Sequence, residues 1–448
     1  MTQPDTGSRF PTVGDGSGMT SDPRFYREEL QLTFRNRGMP LEGLRYDVTP
    51  TGMHYLLTHF DIPDVDLSAW NLNIGGLVDN PTTLSLDAVK ALPSRTEVVT
   101  MECAGNGRAL FSPRSISQPW LLEAIGTSEW TGTPLKGVLE AAGVKRDAVE
   151  ILFTGVDEGV QGNEVQYYQR SLTIEEANRD EVLLVYKMNG RPLEPQHGYP
   201  LRLIVPGWYG MTSVKWLDRI EAIAQPFQGF QQTQNYRYSQ TSDDPGEPVS
   251  LIRVRALMIP PGIPDFVTRT RLVGAGRVTL RGRAWAVRTG ISQVEVSVDG
   301  ATWSDARLED AAPPYARRGW SFEWGARAGR YTLSVRAEDA AGNLSVNLEG
   351  LGTTADETAP TWATDATLTV GLITETTAAL SWTAATDNVG VAAYRILDGD
   401  AVLMEVNTVT ATVTDLDAWA HYTLQVRAVD AAGNQTVEYR EVFIDEVL

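Results

Sequence analysis

The chain has 448 residues and a formal net charge of −19, from 57 acidic against 38 basic side chains. That balance excludes nucleic acid as an expected partner, since a phosphate backbone needs clustered Lys and Arg, but it leaves room for a local basic pocket around a small anion. A single cysteine, Cys103, excludes an intramolecular disulfide, so the fold rests on apolar cores, which a 42% hydrophobic content and 12 Trp can supply.

The opening MTQPDTGSRFPTVGDGSG is polar and glycine-rich, and residues 1–24 are expected to form a flexible N-terminus. It shows neither a basic segment followed by an apolar one nor a twin-arginine pair, and no later apolar run approaches the ~20 residues of a membrane helix. A cytoplasmic protein without a membrane span is the expectation. Residues 25–245 mix strand-like runs (LNIGGLV, VEILFTG, PLRLIVPG) with helix-like ones (GTPLKGVLEAAGV, LTIEEANRD), which predicts one α+β domain.

From residue 246 the character changes. Alternating runs such as RVTLRGRAWAV, SQVEVSVDG and YTLSVRAED are separated by Gly, Asp and Asn turns, the pattern of an all-β sandwich over 246–355. A linker, GLGTTADETAPT, leads to a second such set over 360–448. The two share a repeat, RYTLSVRAEDAAGN at 330–343 and HYTLQVRAVDAAGN at 421–434. Two immunoglobulin-like sandwiches are therefore predicted. The second resembles fibronectin type III: Trp382 stands where that family buries a core tryptophan, and Tyr422, six residues after Leu416, matches its tyrosine corner.

Cys103 sits in MECAGNGR, after the strand-like TEVVT. A lone cysteine is either an inert buried hydrophobe or a thiolate acting as nucleophile or metal ligand. Here the following turn has little side-chain bulk, several backbone N–H groups and Arg108 five residues on, a setting that favours a thiolate beside a large anionic ligand.

VVTMECAGNGR resembles the motif of the sulfite oxidase family of molybdenum enzymes. Further blocks in order extend the resemblance over residues from about 47 to 345: VTPTGMHYLLTHFDIPDVDLSAWNLNIGGLV, SQPWLLEAIGTSEWTGTPLKGVL, FTGVDEG, EVLLVYKMNGRPLEPQHGYPLRLIVPGWYGMTSVKWL and NYRY. GRAWAVRTGISQVEVSVDGATWSDARL resembles the family's dimerisation domain and implies a homodimer. The resemblance implies a molybdopterin cofactor whose metal is ligated by Cys103. It also implies cofactor contacts from Tyr55, His59, Asp157, His197, Arg202, Ser213, Val214 and Lys215, with Arg202 on the phosphate. Arg108 and Tyr236 would act on the substrate, and Trp120 would line its pocket. Guanidinium and ammonium groups suit a phosphate, whereas carboxylate and imidazole suit the pterin edge. Taken singly, His59 also fits a core histidine, Asp157 a turn cap and Lys215 a solvated lysine.

The pattern departs from the sulfite-oxidising members at two places. Leu57 stands where the resemblance implies a substrate-binding arginine, and VNLEG puts Glu349 where it implies another. The implied reaction is oxygen-atom transfer on a small oxyanion such as sulfite, or in the opposite sense on an S-oxide or N-oxide. No C-x-x-C-H haem motif occurs, so no haem is expected and electrons pass to or from an external partner. The reading from another class is a non-catalytic scaffold built on a degenerate enzyme domain.

Overall fold

The computed structural model describes residues 27–444 except 111–116, 162, 239–245, 267–268, 287, 329–330, 346–358, 388–390, 400, 419, 431–434 and 437–439. The expectations for residues 1–24 and for Glu349 lie outside the described residues. The chain forms two compact units, 1–348 and 349–448.

The first unit begins with one mixed sheet and one antiparallel sheet. One has the spatial order Thr82–Leu84, Leu72–Gly76, Leu217–Ile223, Glu150–Gln161, Glu164–Thr173. In it Leu72–Gly76 and Leu217–Ile223 run parallel and the other pairs antiparallel. The second joins Arg95–Glu102, Ile125–Pro134 and Leu183–Met188, with Arg191–Pro192 and Arg202–Ile204 both pairing the last of these. Arg202–Ile204 is buried throughout, and its alternation divides it: Leu203 enters the core under the first sheet, Ile204 the cluster around Cys103.

GTPLKGVLEAAGV yields the expected helix, Leu135–Ala142, which buries Leu135, Val138, Leu139 and Ala142 on one face and ends at Gly143 with φ 69°. LTIEEANRD yields only four helical residues, Ile174–Ala177. Thr173 caps its start by accepting from the Glu176 N–H, while Asn178 Nδ2 donates to the Ile174 carbonyl at 2.8 Å and stops propagation. Strands dominate the unit, and its described helices are short.

Residues from 255 to 339 form a four-stranded and a three-stranded antiparallel sheet around a core that includes Leu280, Val294, Val296, Trp320 and Trp324. This β region packs onto the preceding one within the same unit. Thr100 N–H donates to the Tyr315 carbonyl at 2.8 Å, Arg283 Nε to Leu44 O at 3.0 Å, and Arg317 Nη2 to Tyr46 O at 2.6 Å.

The second unit has a sheet of Leu368–Thr374, Thr377–Trp382 and Thr410–Val413, and another of Ala401–Val406, Val391–Asp398, Tyr422–Asp430 and Arg440–Ile444. Trp382 is buried against Tyr394 with ring centres 5.4 Å apart, and the Tyr422 hydroxyl accepts from the Asp417 N–H at 2.8 Å. Both features expected of a fibronectin type III fold are thus in place.

Candidate active site

The strand Arg95–Glu102 becomes fully buried at its end and delivers Cys103 into a tight turn. Gly107, at φ 92°, supplies a left-handed conformation that side chains disfavour. A β-carbon on Gly105 would come within 2.7 Å of the Arg108 guanidinium, so only glycine lets that group lie over the loop. Asn106 fastens the turn: Nδ2 donates to Glu102 Oε1 at 3.0 Å and to Leu122 O at 3.3 Å, and Oδ1 accepts from the Ala124 N–H.

Cys103 is 6% exposed and packs among Tyr55, Met101, Trp120 and Ala124, yet it also lines a cavity that opens partly to solvent and has a volume of about 60 Å³ for the centres of water molecules. Burial pushes its thiol above the ordinary range, outweighing the Gly105 N–H at 3.4 Å, the Arg108 guanidinium and the Trp120 indole, which favour the thiolate. The turn thus favours the thiolate as expected, but in the absence of a cation on the sulfur desolvation outweighs it.

The same cavity is lined by Tyr55, Leu57, His59, Asp157, His197, Arg202, Ser213, Lys215 and Tyr236. Val214 differs: its side chain lies in the hydrophobic core, fully buried, and its carbonyl accepts from the Leu203 N–H. Arg108 lies beside the cavity and donates to Ser117 Oγ. Trp120 packs behind Cys103.

Electrostatically the cavity is unbalanced. Arg202 donates to the carbonyls of His197 at 3.0 Å and Ser213 at 3.1 Å, with its guanidinium 4.9 Å from the Trp130 ring centre. Lys215 donates to the carbonyls of Leu57 at 2.9 Å and Gln196 at 3.1 Å. Neither forms an ion pair among the described residues, and burial lowers the pKa of both, Arg202 to about 10 and Lys215 well below the amine range. Asp157 is the nearby carboxylate, itself pushed up to about 6 by burial against the pull of Lys215.

Several buried polar atoms of cavity-lining residues have no partner among the described residues: Asp157 Oδ1, His197 Nε2 and Arg202 Nε. Buried polar groups are normally satisfied, so a cluster of orphans around one cavity marks a missing partner rich in donors and acceptors. A pterin edge with a phosphate tail fits this set, and Cys103 would offer a sulfur to its metal.

Tyr236 has φ 58°, a left-handed backbone uncommon for tyrosine, and its hydroxyl lies 2.6 Å from His59 Nε2. Burial holds His59 down at about 4 and keeps the Tyr236 phenol protonated far above neutrality.

Sequence reasoning missed His54, Tyr168, Gln196 and Trp216, which also line the cavity, and Glu102 beneath the cysteine turn. His54 is buried with Nδ1 2.9 Å from the Tyr55 carbonyl, and its ring meets that of His197 edge-on at 5.8 Å. The adjacency of Glu102 to Cys103, and of His54 to Tyr55, was the available signal.

A cysteine, two buried cations without an ion pair among the described residues and several orphaned polar atoms on residues lining one cavity fit a molybdopterin-dependent oxidoreductase, and residues 59–231 match the oxidoreductase molybdopterin binding domain. Residues 359–443 match the fibronectin type III domain. The chain is 33% identical over 291 residues to a sulfite oxidase of Arabidopsis thaliana, covering 60% of this chain and 72% of that protein. It is 30% identical to the mitochondrial sulfite oxidase of Homo sapiens, covering 70% of this chain and 58% of that one. It is also 30% identical to a nitrate reductase [NADH] of Solanum lycopersicum, covering 62% of this chain but 33% of that one. The crystal structure of the sulfane dehydrogenase SoxCD from Paracoccus pantotrophus shares the fold, with a TM-score of 0.62 at 20% identity, over 99% of this chain and 97% of that chain. The chain belongs to the sulfite oxidase family of molybdopterin oxidoreductases. That membership sets aside the non-catalytic scaffold reading.

Proposed function

We propose that the cavity beside Cys103 holds a molybdenum cofactor and that the chain transfers an oxygen atom to or from a small oxyanion, sulfite being the first candidate, with an external electron partner. The observation that carries this is the pair Arg202 and Lys215, half or wholly buried and without a carboxylate in ion-pair reach among the described residues. Buried cations of this kind are costly unless an anion meets them.

Cys103 would ligate the metal, and ligation would draw off the proton that burial now retains on sulfur. Arg202 and Lys215 would hold the phosphate, while Asp157, His197, Ser213, Tyr55 and His59 would meet the pterin edge. When bound, the cofactor supplies the two-electron oxygen-atom chemistry. The chain's own part is placement: Arg108 attracts the anion, and the protonated Tyr236 hydroxyl, steadied by His59, offers a hydrogen bond to its oxygen. Relatives named for sulfite and for nitrate both support an oxyanion.

Leu57 on the cavity wall favours a second reading, reduction of a less polar S-oxide or N-oxide at the same site. Homodimer formation through residues 246–355 belongs to the same proposal, and light scattering on purified protein checks it. The decisive test combines metal analysis of protein made in a molybdate-replete host with a substrate panel using artificial acceptors and donors. About one molybdenum per chain with saturable sulfite oxidation supports the first reading, turnover of oxides alone supports the second, and absence of molybdenum defeats both.

A further inference from the structure

One buried cation near the cavity has no part in the scheme above. Arg170 is 2% exposed and lies on Glu164–Thr173 two residues after Tyr168, on the same face of the strand. Tyr168 lines the cavity, and its hydroxyl donates to the Met211 carbonyl at 2.7 Å. The Arg170 guanidinium carbon is 5.9 Å from the centre of the Tyr236 ring. Its Nη1 donates to the carbonyl of Gln231, in the short helix Phe230–Thr233 just before Tyr236.

Arg170 makes no ion pair among the described residues, and its Nε has no hydrogen-bond partner among them. A guanidinium hidden this way persists where it orients another group or meets an anion. Tyr236 needs such orientation. Its left-handed backbone must be fixed from outside, and its fixed points are the Val249 N–H on its carbonyl at 2.8 Å, His59 and Tyr168 at its hydroxyl, and Arg170 with the helix it grips. Arg108 and Arg170 are also the two guanidinium groups whose charge acts on the Tyr236 hydroxyl. The Leu57 part of the wall contributes none.

We propose that Arg170 is a positioning residue for Tyr236 and that its charge, acting from behind the tyrosine ring, makes the site selective for a small oxyanion. This rests on the oxyanion reading above. Arg170 does not touch the substrate. It fixes the hydroxyl that does and raises the positive potential where an anion sits.

The test uses the full-length, molybdenum-loaded protein, sulfite as the reacting probe and sulfate as an inert one, followed by competitive inhibition and by tryptophan fluorescence. Arg170→Met should keep full molybdenum content, raise KM for sulfite and the sulfate dissociation constant each by about tenfold, as expected for a lost charge interaction, and change kcat less. Arg170→Lys, which retains the charge but not the fork, should recover much of the anion affinity and less of kcat. Adding Leu57→Arg to Arg170→Met should restore sulfate binding, which a folding lesion would not allow.

Arg170→Met with molybdenum content and both constants within about twofold of the parent overturns the proposal. So does a parallel loss of molybdenum in the Lys and Met variants with unchanged KM in the loaded fraction, which assigns Arg170 to folding alone. A parent protein that carries molybdenum yet neither oxidises sulfite nor binds sulfate instead sinks the oxyanion reading itself, and this proposal with it.

Discussion

The Glu102 carboxylate accepts a 2.9 Å hydrogen bond from the Trp285 indole, 183 residues away, and both side chains are buried. Arg255 lies 2.8 Å from the other carboxylate oxygen, close but poorly directed for a hydrogen bond, and Asn106 donates to that oxygen at 3.0 Å. The residue before Cys103 is thereby bolted to the β region over 255–339.

Trp285→Phe removes one donor and leaves the ion pair, so it should cost about 1–2 kcal/mol. Glu102→Leu strands Arg255 without a counter-charge and should cost about 3–5 kcal/mol. Thermal melting should rank the two variants in that order. Molybdenum content should fall in Glu102→Leu even at temperatures where the protein remains folded, because the cysteine turn loses its anchor.

Cys103 should be slow towards thiol reagents in the cofactor-free protein at neutral pH, because burial holds its proton on sulfur. Its rate with a disulfide reagent should climb only at alkaline pH. Loading with cofactor should abolish the reaction, and Cys103→Ser should leave the melting temperature close to the parent while molybdenum content and turnover vanish. Rapid labelling at pH 7 would contradict the burial argument.

What the sequence made legible follows from how local each feature is. The helix Leu135–Ala142 was readable because its apolar spacing and Gly143 cap are contiguous, and Trp382 and Tyr422 mark their sheets by position. Cys103 announced itself by being alone in a glycine-rich turn. Arg170 and Tyr168 were hidden in plain alternation, since a buried arginine on a strand looks like any polar outward residue until Gln231 and Tyr236 close over it. The Glu102–Trp285 bond was beyond reach because sequence carries no distance between residues so far apart. Val214 shows that a motif position can be filled by a residue whose side chain belongs to the core.

Three imidazoles and one carboxylate around the cavity contribute to the acid response of the cofactor-free protein between pH 6.5 and 4.5, above the range where the carboxylates held low by hydrogen bonds and ion pairs act. His54 and His59 titrate near 4 and His197 near 2 in the folded chain, against an ordinary 6.5, with burial as the main cause in each. The unfolded chain therefore takes up their protons first, and their stabilising contribution, complete above pH 6.5, is lost as pH falls towards 4 and below. For His54 alone that is ~3 kcal/mol. Asp157 works the other way: its folded value of about 6 exceeds 3.8, so the folded chain gains its proton first and is stabilised as pH falls from 6 to 3.8. Three sites outweigh one, and the melting temperature should drop between pH 6.5 and 4.5. Asp157→Asn removes the opposing contribution and should make that drop steeper, whereas a shallower profile would reject the assignment.

Lys215 gives the sharpest separation between a structural and a cofactor-holding role. Its ammonium donates to the carbonyls of Leu57 and Gln196, lies 4.2 Å from the Trp216 ring centre and has no ion-pair partner among the described residues. Its amine is held well below the ordinary range by burial first and Arg202 second, with Asp157 pulling weakly back. Lys215→Met keeps most of the side-chain length and gives up two hydrogen bonds worth about 1 kcal/mol each, but relieves a buried cation whose desolvation is several kcal/mol. The cofactor-free variant should therefore melt higher than the cofactor-free parent. The loaded variant should retain cofactor ten- to a hundredfold less tightly, about 1.5–3 kcal/mol for a charge-assisted bond to phosphate. Both readings come from one variant expressed in parallel in a cofactor-deficient and a molybdate-replete host. A lower melting temperature with molybdenum content unchanged would make Lys215 a structural brace and remove it from the cofactor site.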